Sequence, residues 1–239
     1  MGYRSLTLAA AAQELDMDMN ELRHYAQRGE LPARIQGGEY VFEQRALDEW
    51  AQRRLMTLTE KKLAGEHGAA MAARRRAMGC DFHVAGLLQP TAVAPFMTSR
   101  NRGGVLRDMT DLAESTGLVY DPLTLFAELQ AREEAASTAT EAGVAFPHPK
   151  YHDPYLFQES FLALGRTIKP VYYGAGGDGE GTDLFFLVCC ADHRLHLHVL
   201  GRLCLLAMRT PILQMLREAA TAEDMCAALK SCEDSFLNA

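Results

Sequence analysis

Glu128-Leu129-Gln130-Ala131-Arg132-Glu133-Glu134, then Ser137-Thr138, then Gly143-Val144-Ala145-Phe146-Pro147-His148, carries the most specific signal in the chain. Its first part lies in a helix expected over 123–136, with Leu125, Phe126 and Leu129 facing inward and Asp121-Pro122 at the start. Its last part is a short apolar run that ends in Pro147-His148-Pro149. Proline fixes its own φ and pushes the preceding residue toward extended backbone. His148 is therefore expected on a stiff, presented segment, sixteen residues after Arg132.

Working outward, Phe161-Leu162-Ala163-Leu164 and Val171-Tyr172-Tyr173 read as two strands. Asp183-Leu184-Phe185-Phe186-Leu187-Val188-Cys189-Cys190 is a continuous apolar run of strand length, the pattern of a strand buried on both faces. A helix follows over 197–208, with Leu200, Leu203, Cys204 and Ala207 on one face, and a final helix includes Met225 and Leu229. The pattern predicts an α/β fold, a mixed central sheet flanked by helices on both faces.

These residues resemble the enzyme IIA domains of the bacterial sugar phosphotransferase system, of the fructose, mannitol and nitrogen-regulatory kind. Gly177-Asp178-Gly179 with 182–187, His196-Leu197-His198-Val199-Leu200 and 219–224 continue the likeness. The resemblance implies that His148 accepts a phosphoryl group from a histidine-containing phosphocarrier protein, with His196 beside it. Arg132, Ser137 and Thr138 complete the implied site, Arg132 holding an oxygen and the two hydroxyls donating. Phosphoryl transfer is mostly positioning and electrostatics, which suits such a set. Asp192 is a candidate cap for the helix that carries His196, whose positive end would face the phosphoryl oxygens. The chain departs from the family where a glycine-rich stretch becomes Ala139-Thr140-Glu141-Ala142-Gly143, and where Pro149 replaces a glycine. Differently placed backbone amides and an unfavourable charge at Glu141 are the expected consequences.

The first fifty-five residues read differently. Leu6 to Leu15 is an Ala-rich helix pattern ending at Asp16, and Asp18 with Glu21 forms a capping box for a second helix over 19–28. Gly29 suits the position after its end, Gly37-Gly38 sits between β-favouring residues as a two-residue hairpin turn, and Ala46, Leu47 and Trp50 mark a further helix. The order resembles the small winged helix-turn-helix of excisionases and mercury-resistance regulators. Leu22, Tyr25 and Ala26 would pack inward. Asn20, Arg23, His24, Gln27 and Arg28 would share the opposite face, open to a major groove, and Arg34 would open the wing.

Composition sets bounds. The chain has 239 residues, 48% hydrophobic and 23% charged, which is ordinary for globular domains. Its net charge of −7 divides unevenly: residues 1–80 hold twelve Lys/Arg and eleven Asp/Glu, a balance of +1, which leaves −8 for 81–239. Six cysteines lack paired metal spacing, and neither a signal peptide nor a span of about 20 apolar residues is legible, so a cytoplasmic protein with no membrane association is expected.

The expected organisation is a DNA-binding domain at 1–55, a helical linker at 56–80 and an enzyme IIA-like domain at 81–239. The linker reads as an Ala-rich helix with Gly65 and Gly68 as candidate breaks, and two roles stay open for it: pairing two subunits as a homodimer through Leu55, Leu58 and Leu63, or a flexible tether. The function so read is a DNA-binding regulator phosphorylated on His148. The alternatives are a plain phosphocarrier, or a sensor that binds an anion or metal between His148 and His196. No cofactor and no metal are expected. A zinc site would need His148, His152, Asp153, Asp192, His193, His196 and His198 to converge, and their spacing matches no metal motif.

Overall fold

The computed structural model describes residues 5–78, 82–151, 153, 155–174 and 181–238, so Cys80, His152 and the Gly177-Asp178-Gly179 turn lie outside the described residues. The chain divides into two compact units, Met1–Ala73 and Arg74–Ala239.

In the first unit, β1 (Ser5–Thr7) precedes α1 (Leu8–Leu15) and α2 (Met19–Gln27). The hairpin β2 (Arg34–Gln36) and β3 (Glu39–Glu43) turns at Gly37 and Gly38, both at positive φ, and α3 (Gln44–Thr57) follows. The opening of the chain corrects the sequence reading. Leu6 belongs to a strand, because β1 pairs antiparallel with β3, Leu6 opposite Phe42, in a sheet of order β1-β3-β2. Asp18 caps α2 by accepting from the Asn20 and Glu21 amides, but the reciprocal half of the capping box is not made. Glu21 instead accepts from Tyr25 and Arg54.

The helix α4 (Glu60–Met78) runs unbroken through Gly65 and Gly68. Leu63 is buried within a single chain, which removes it from the expected subunit contact.

In the second unit a 3-10 turn (Val84–Leu87) leads into β4 (Leu88–Met97), then α5 (Arg102–Ser115), α6 (Pro122–Ala135) and β5 (Val144–Ala145). β6 (Phe161–Val171), β7 (Thr182–Cys189), α7 (His193–Arg209), α8 (Ile212–Glu218) and α9 (Ala222–Leu237) complete it. The sheet order is β4-β6-β7-β5; β4 runs parallel to β6, β5 parallel to β7, and β6 antiparallel to β7. The two strands expected at 161–164 and 171–173 are one strand, whose register shifts between Arg166 and Val171, the stretch that holds Pro170. Proline cannot donate to the ladder, and the irregularity accommodates it. Phe161, Ala163, Phe185, Leu187 and Cys189 pack with α5 and α6 residues in one core cluster. The alternating Leu162, Leu164, Leu184, Phe186 and Val188 are equally buried. Both faces of β6 and β7 are thus covered, as the apolar run required.

Candidate functional site

β5 and β7 run in the same direction, so the segments that follow them emerge at the same, carboxyl end of the two strands, the usual place for a site in an α/β fold. After β5 come Phe146, Pro147, His148 and Pro149, all buried; after β7 comes the start of α7. The Val188 amide donates to the Pro147 carbonyl at 2.9 Å, which ties the first segment to β7 one residue before His148.

His148 has no exposed surface, and each ring nitrogen has a partner. Nδ1 lies 2.8 Å from the Phe146 carbonyl oxygen, which can only accept, so Nδ1 carries the proton. Nε2 lies 3.0 Å from Nε of Arg132, which can only donate, so Nε2 presents a lone pair. His148 is thereby held as the neutral Nδ1–H tautomer. Arg132, 2% exposed, is fixed by a second bond of 2.7 Å from Nη1 to the Ala136 carbonyl at the end of α6. The His196 ring, also fully buried, stands 4.7 Å from the His148 ring, centroid to centroid, tilted by 56°.

Asp192 does cap α7, accepting from the Leu195 amide at 2.8 Å. His196 comes late enough in the first turn that its own amide already bonds the Asp192 carbonyl. What α7 contributes near His148 is therefore the His196 ring and the positive end of the helix, not the His196 amide.

Ser137 and Thr138 part company. Thr138 is fully buried, and both its amide and its hydroxyl donate to the carboxylate of Glu133. The expectation of a Thr138 hydroxyl directed at the phosphoryl group is corrected: that donor belongs to Glu133. The Ser137 hydroxyl is half-buried and accepts from the Ala139 amide at 3.2 Å. Burial pushes the Glu133 carboxyl above the usual carboxylate range, against the opposing pull of the Thr138 bonds, Arg132 and Arg102. Burial, and then Glu133, likewise raise the Tyr173 phenol. Arg102 reaches the Glu133 carbonyl from the start of α5 at 3.5 Å. Arg102 Nη1 and Ser137 Oγ each lie 3.6 Å from where a Cβ on Gly174 would stand, so both converge on that glycine's bare backbone. Sequence reading missed Arg102, Glu133 and Tyr173 as neighbours of the site; the Glu in the Arg132-Glu133 pair was the one local signal.

The loss of the family's glycines has a structural answer. In the loop 139–143 only Gly143 has positive φ, at 77°, and that glycine is retained. The Gly143 carbonyl accepts from the Asp183 and Leu184 amides. Arg217 straps the loop from α8, donating to the Ala142 carbonyl at 2.9 Å and to both Asp183 carboxylate oxygens at 2.8–3.1 Å. Glu141 points to solvent, where its charge is screened. Among the described residues no group of three or more His, Cys, Asp or Glu side chains stands ready to share a metal ion. His198, two residues beyond His196 on α7, is buried, with its ring 5.5 Å from Phe82.

The first unit offers a second site. Asn20, Arg23, His24 and Gln27 are exposed on α2, Arg28 is exposed at its C-cap, and Arg34 is exposed at the start of β2. Leu22 is fully buried, while Tyr25 and Ala26 are partly so. Arg23 lies 3.3 Å from Asn20, and Arg28 pairs with Glu30 at 2.5 Å. Behind this face Arg54 stacks over Tyr25 and Trp50, bonds Glu21 at 3.2 Å, and grips both Glu66 oxygens at 2.6 and 2.7 Å. That arginine ties α2, α3 and α4 together, and sequence reading did not find it.

Comparison with known proteins bears on both units. Residues 5–55 match a family described as a helix-turn-helix domain. The nitrogen regulatory protein of Bradyrhizobium diazoefficiens is 28% identical over 149 residues, 61% of this chain and 94% of that protein. The nitrogen regulatory protein of Pseudomonas aeruginosa is 32% identical over 121 residues, 50% of this chain and 76% of its own length. The crystal structure of nitrogen regulatory protein IIA-Ntr from Neisseria meningitidis superposes with a TM-score of 0.53 at 25% identity, covering 61% of this chain and 98% of that one. Residues 87–232, well over half of the chain, match the pattern of the phosphoenolpyruvate-dependent sugar phosphotransferase system EIIA 2 family, and this protein belongs to that family.

Proposed function

We propose that this protein is a cytoplasmic DNA-binding regulator whose EIIA unit accepts a phosphoryl group on Nε2 of His148 from a histidine-containing phosphocarrier protein. The helix-turn-helix match suggests DNA binding, and the likeness to nitrogen regulatory proteins suggests a regulatory role of phosphotransferase type. The observation that carries the finer reading is the pairing of His148. With Nδ1–H given to the Phe146 carbonyl, the nucleophilic lone pair is on Nε2, and a guanidinium already stands 3.0 Å away.

In the transfer, the Nε2–P bond forms as the P–N bond of the donor histidine breaks, and the His148 proton stays on Nδ1. Arg132 must leave Nε2 and take up phosphoryl oxygens as the group arrives, which keeps positive charge where negative charge accumulates. His196 and the positive end of α7 face the same place, and Ser137 is the hydroxyl able to donate. Thr138 acts at one remove: with Glu133 it holds the turn that presents Ser137.

The domains read as 1–55, 56–80 and 81–239, with α2 and the wing residue Arg34 on DNA. So few cations give one module little affinity, which makes a homodimer the working form. Phosphorylation adds a charge of about −1.5 to −2 to a part of the chain already at −8, and so opposes DNA binding by the whole protein.

Incubation with a phosphorylated phosphocarrier tests the reading: an acid-labile adduct of about 80 Da is expected in the native protein and not in His148→Ala. An adduct without any salt-dependent binding of duplex DNA would make the protein a plain phosphocarrier. No adduct at all would leave the cleft a sensor site.

A further inference from the structure

We infer that α7 carries the phosphorylation state of His148 to the segment Phe82–Leu87, which follows the helix α4 in the chain. The inference rests on the reading of His148 as the phosphoryl acceptor.

α7 touches that segment in two ways that have no part in the chemistry. His198, two residues beyond His196, sets its ring against Phe82 at 5.5 Å, edge to face. Arg202 donates at 2.8 Å to Glu233 on α9, and neither side chain has any exposed surface. The same Glu233 carboxylate accepts the backbone amides of Val84 at 2.8 Å and Ala85 at 2.7 Å. A buried carboxylate is costly unless it is paired and fully hydrogen-bonded, and here three donors meet that need. Two of the three belong to the segment itself. If Glu233 shifts with Arg202, the Val84 and Ala85 amides lose their acceptor, and the 3-10 turn loses the bonds that begin it. His83 adds a weaker, exposed contact to Asp234 at 3.5 Å.

The input end lies on the same rod. His196 packs its ring on His148, and Arg202 is six residues further on, about 9 Å along the axis at 1.5 Å per residue. Eleven of the seventeen α7 residues are buried, so a displacement at His196 is not relieved by bending into solvent. A phosphoryl group on Nε2 enters a space that is already closed. It displaces Arg132 and crowds His196 in the first turn of the helix. The seating of α7 in the phosphorylated state must differ from the seating seen here. Because packed cores are bistable rather than continuously deformable, the change reaches Phe82, Val84 and Ala85 as loosened docking.

The test follows hydrogen exchange across Phe82–Leu88 in the full-length protein, with and without a phosphorylated phosphocarrier, while intact mass reports the adduct. The Val84 and Ala85 amides should exchange about tenfold faster in the phosphorylated protein, within the usual range of coupling between sites. Glu233→Gln is the direct break, but a buried Arg202 left without its countercharge is apt to unfold. Phe82→Ala is therefore the second variant. It should still take up the phosphoryl group, while the change in DNA affinity on phosphorylation shrinks. An adduct on His148 with unchanged exchange at Val84 and Ala85, or a full DNA response in Phe82→Ala, overturns the coupling and leaves the proposed function standing. Absence of the adduct overturns both.

Discussion

The two units expose their working residues in opposite ways. On α2 and the wing, all six side chains proposed to meet DNA are exposed, while Arg132, Thr138, His148 and His196 in the EIIA unit lie almost wholly inside. A DNA reader meets a large, rigid, highly charged partner that supplies most of the field itself, so its side chains need only be on the right face of a helix. A phosphoryl acceptor must hold one nitrogen unprotonated and fix its donors before the group arrives. Burial makes each of those contacts strong, and each unmade one costly.

The comparison breaks most sharply at Arg132. Arg132→Ala should slow phosphoryl uptake about 100-fold or more, the usual cost of removing one preorganised donor, while DNA affinity of the unphosphorylated protein stays put. Stopped uptake kinetics beside a duplex-binding titration would read both.

Within the first unit the contrast runs across a single turn of α2. Leu22→Ala, at a fully buried position, should cost about 2–5 kcal/mol in chemical denaturation. Arg23→Ala, exposed on the next position, should shift stability by no more than about 0.5 kcal/mol. It should instead lower the slope of log K against log salt by about one if Arg23 meets a phosphate.

Asp48 tests what burial does in the unit whose function is exposed. Burial, and then the charge of Glu14, push its carboxyl up to about 7. A carboxyl raised in the folded state binds its proton more tightly there than in the unfolded chain. Its stabilising contribution is complete near pH 4 and is lost as the pH rises toward 7. Asp48→Asn should therefore gain on the native protein by about 4 kcal/mol between pH 4 and pH 8, read as the difference between their melting curves. Parallel curves would mean that Asp48 is better solvated than its position implies.

The loop beside His148 supplies a finer contrast. Gly143→Ala should cost about 1–3 kcal/mol, since Gly143 has φ of 77° and a Cβ there would come within 2.8 Å of Arg217. Ala139→Gly, which restores a family glycine, should change uptake little and lower stability by about 0.5 kcal/mol through the unfolded chain. A large gain in uptake would mean that the missing glycines, not Arg217 and the strap it forms, decide the path of the loop.

Much of this was legible because it is local. The helix of Arg132, the Gly37-Gly38 turn, the Asp18, Asp121 and Asp192 caps and the apolar run of β7 all follow from periodicity and capping over a few residues. What escaped was set by partners far along the chain. Leu6 is a strand residue because of Phe42, β6 is continuous because β7 pairs along it, and Thr138 is withheld from the site because Glu133 claims both of its donors.

By itself, the sequence determined the residue types and their spacing: an Arg and a His sixteen positions apart, prolines that stiffen the second, and a polar face on a short capped helix. Periodicity and proline sterics act on neighbours, so these could be read directly. Tertiary packing alone set which nitrogen of His148 faces Arg132, that Glu133 takes both Thr138 donors, and that Glu233 binds the segment leading back to α4. Those outcomes depend on distances between groups up to 149 residues apart, and only the packed core sets them.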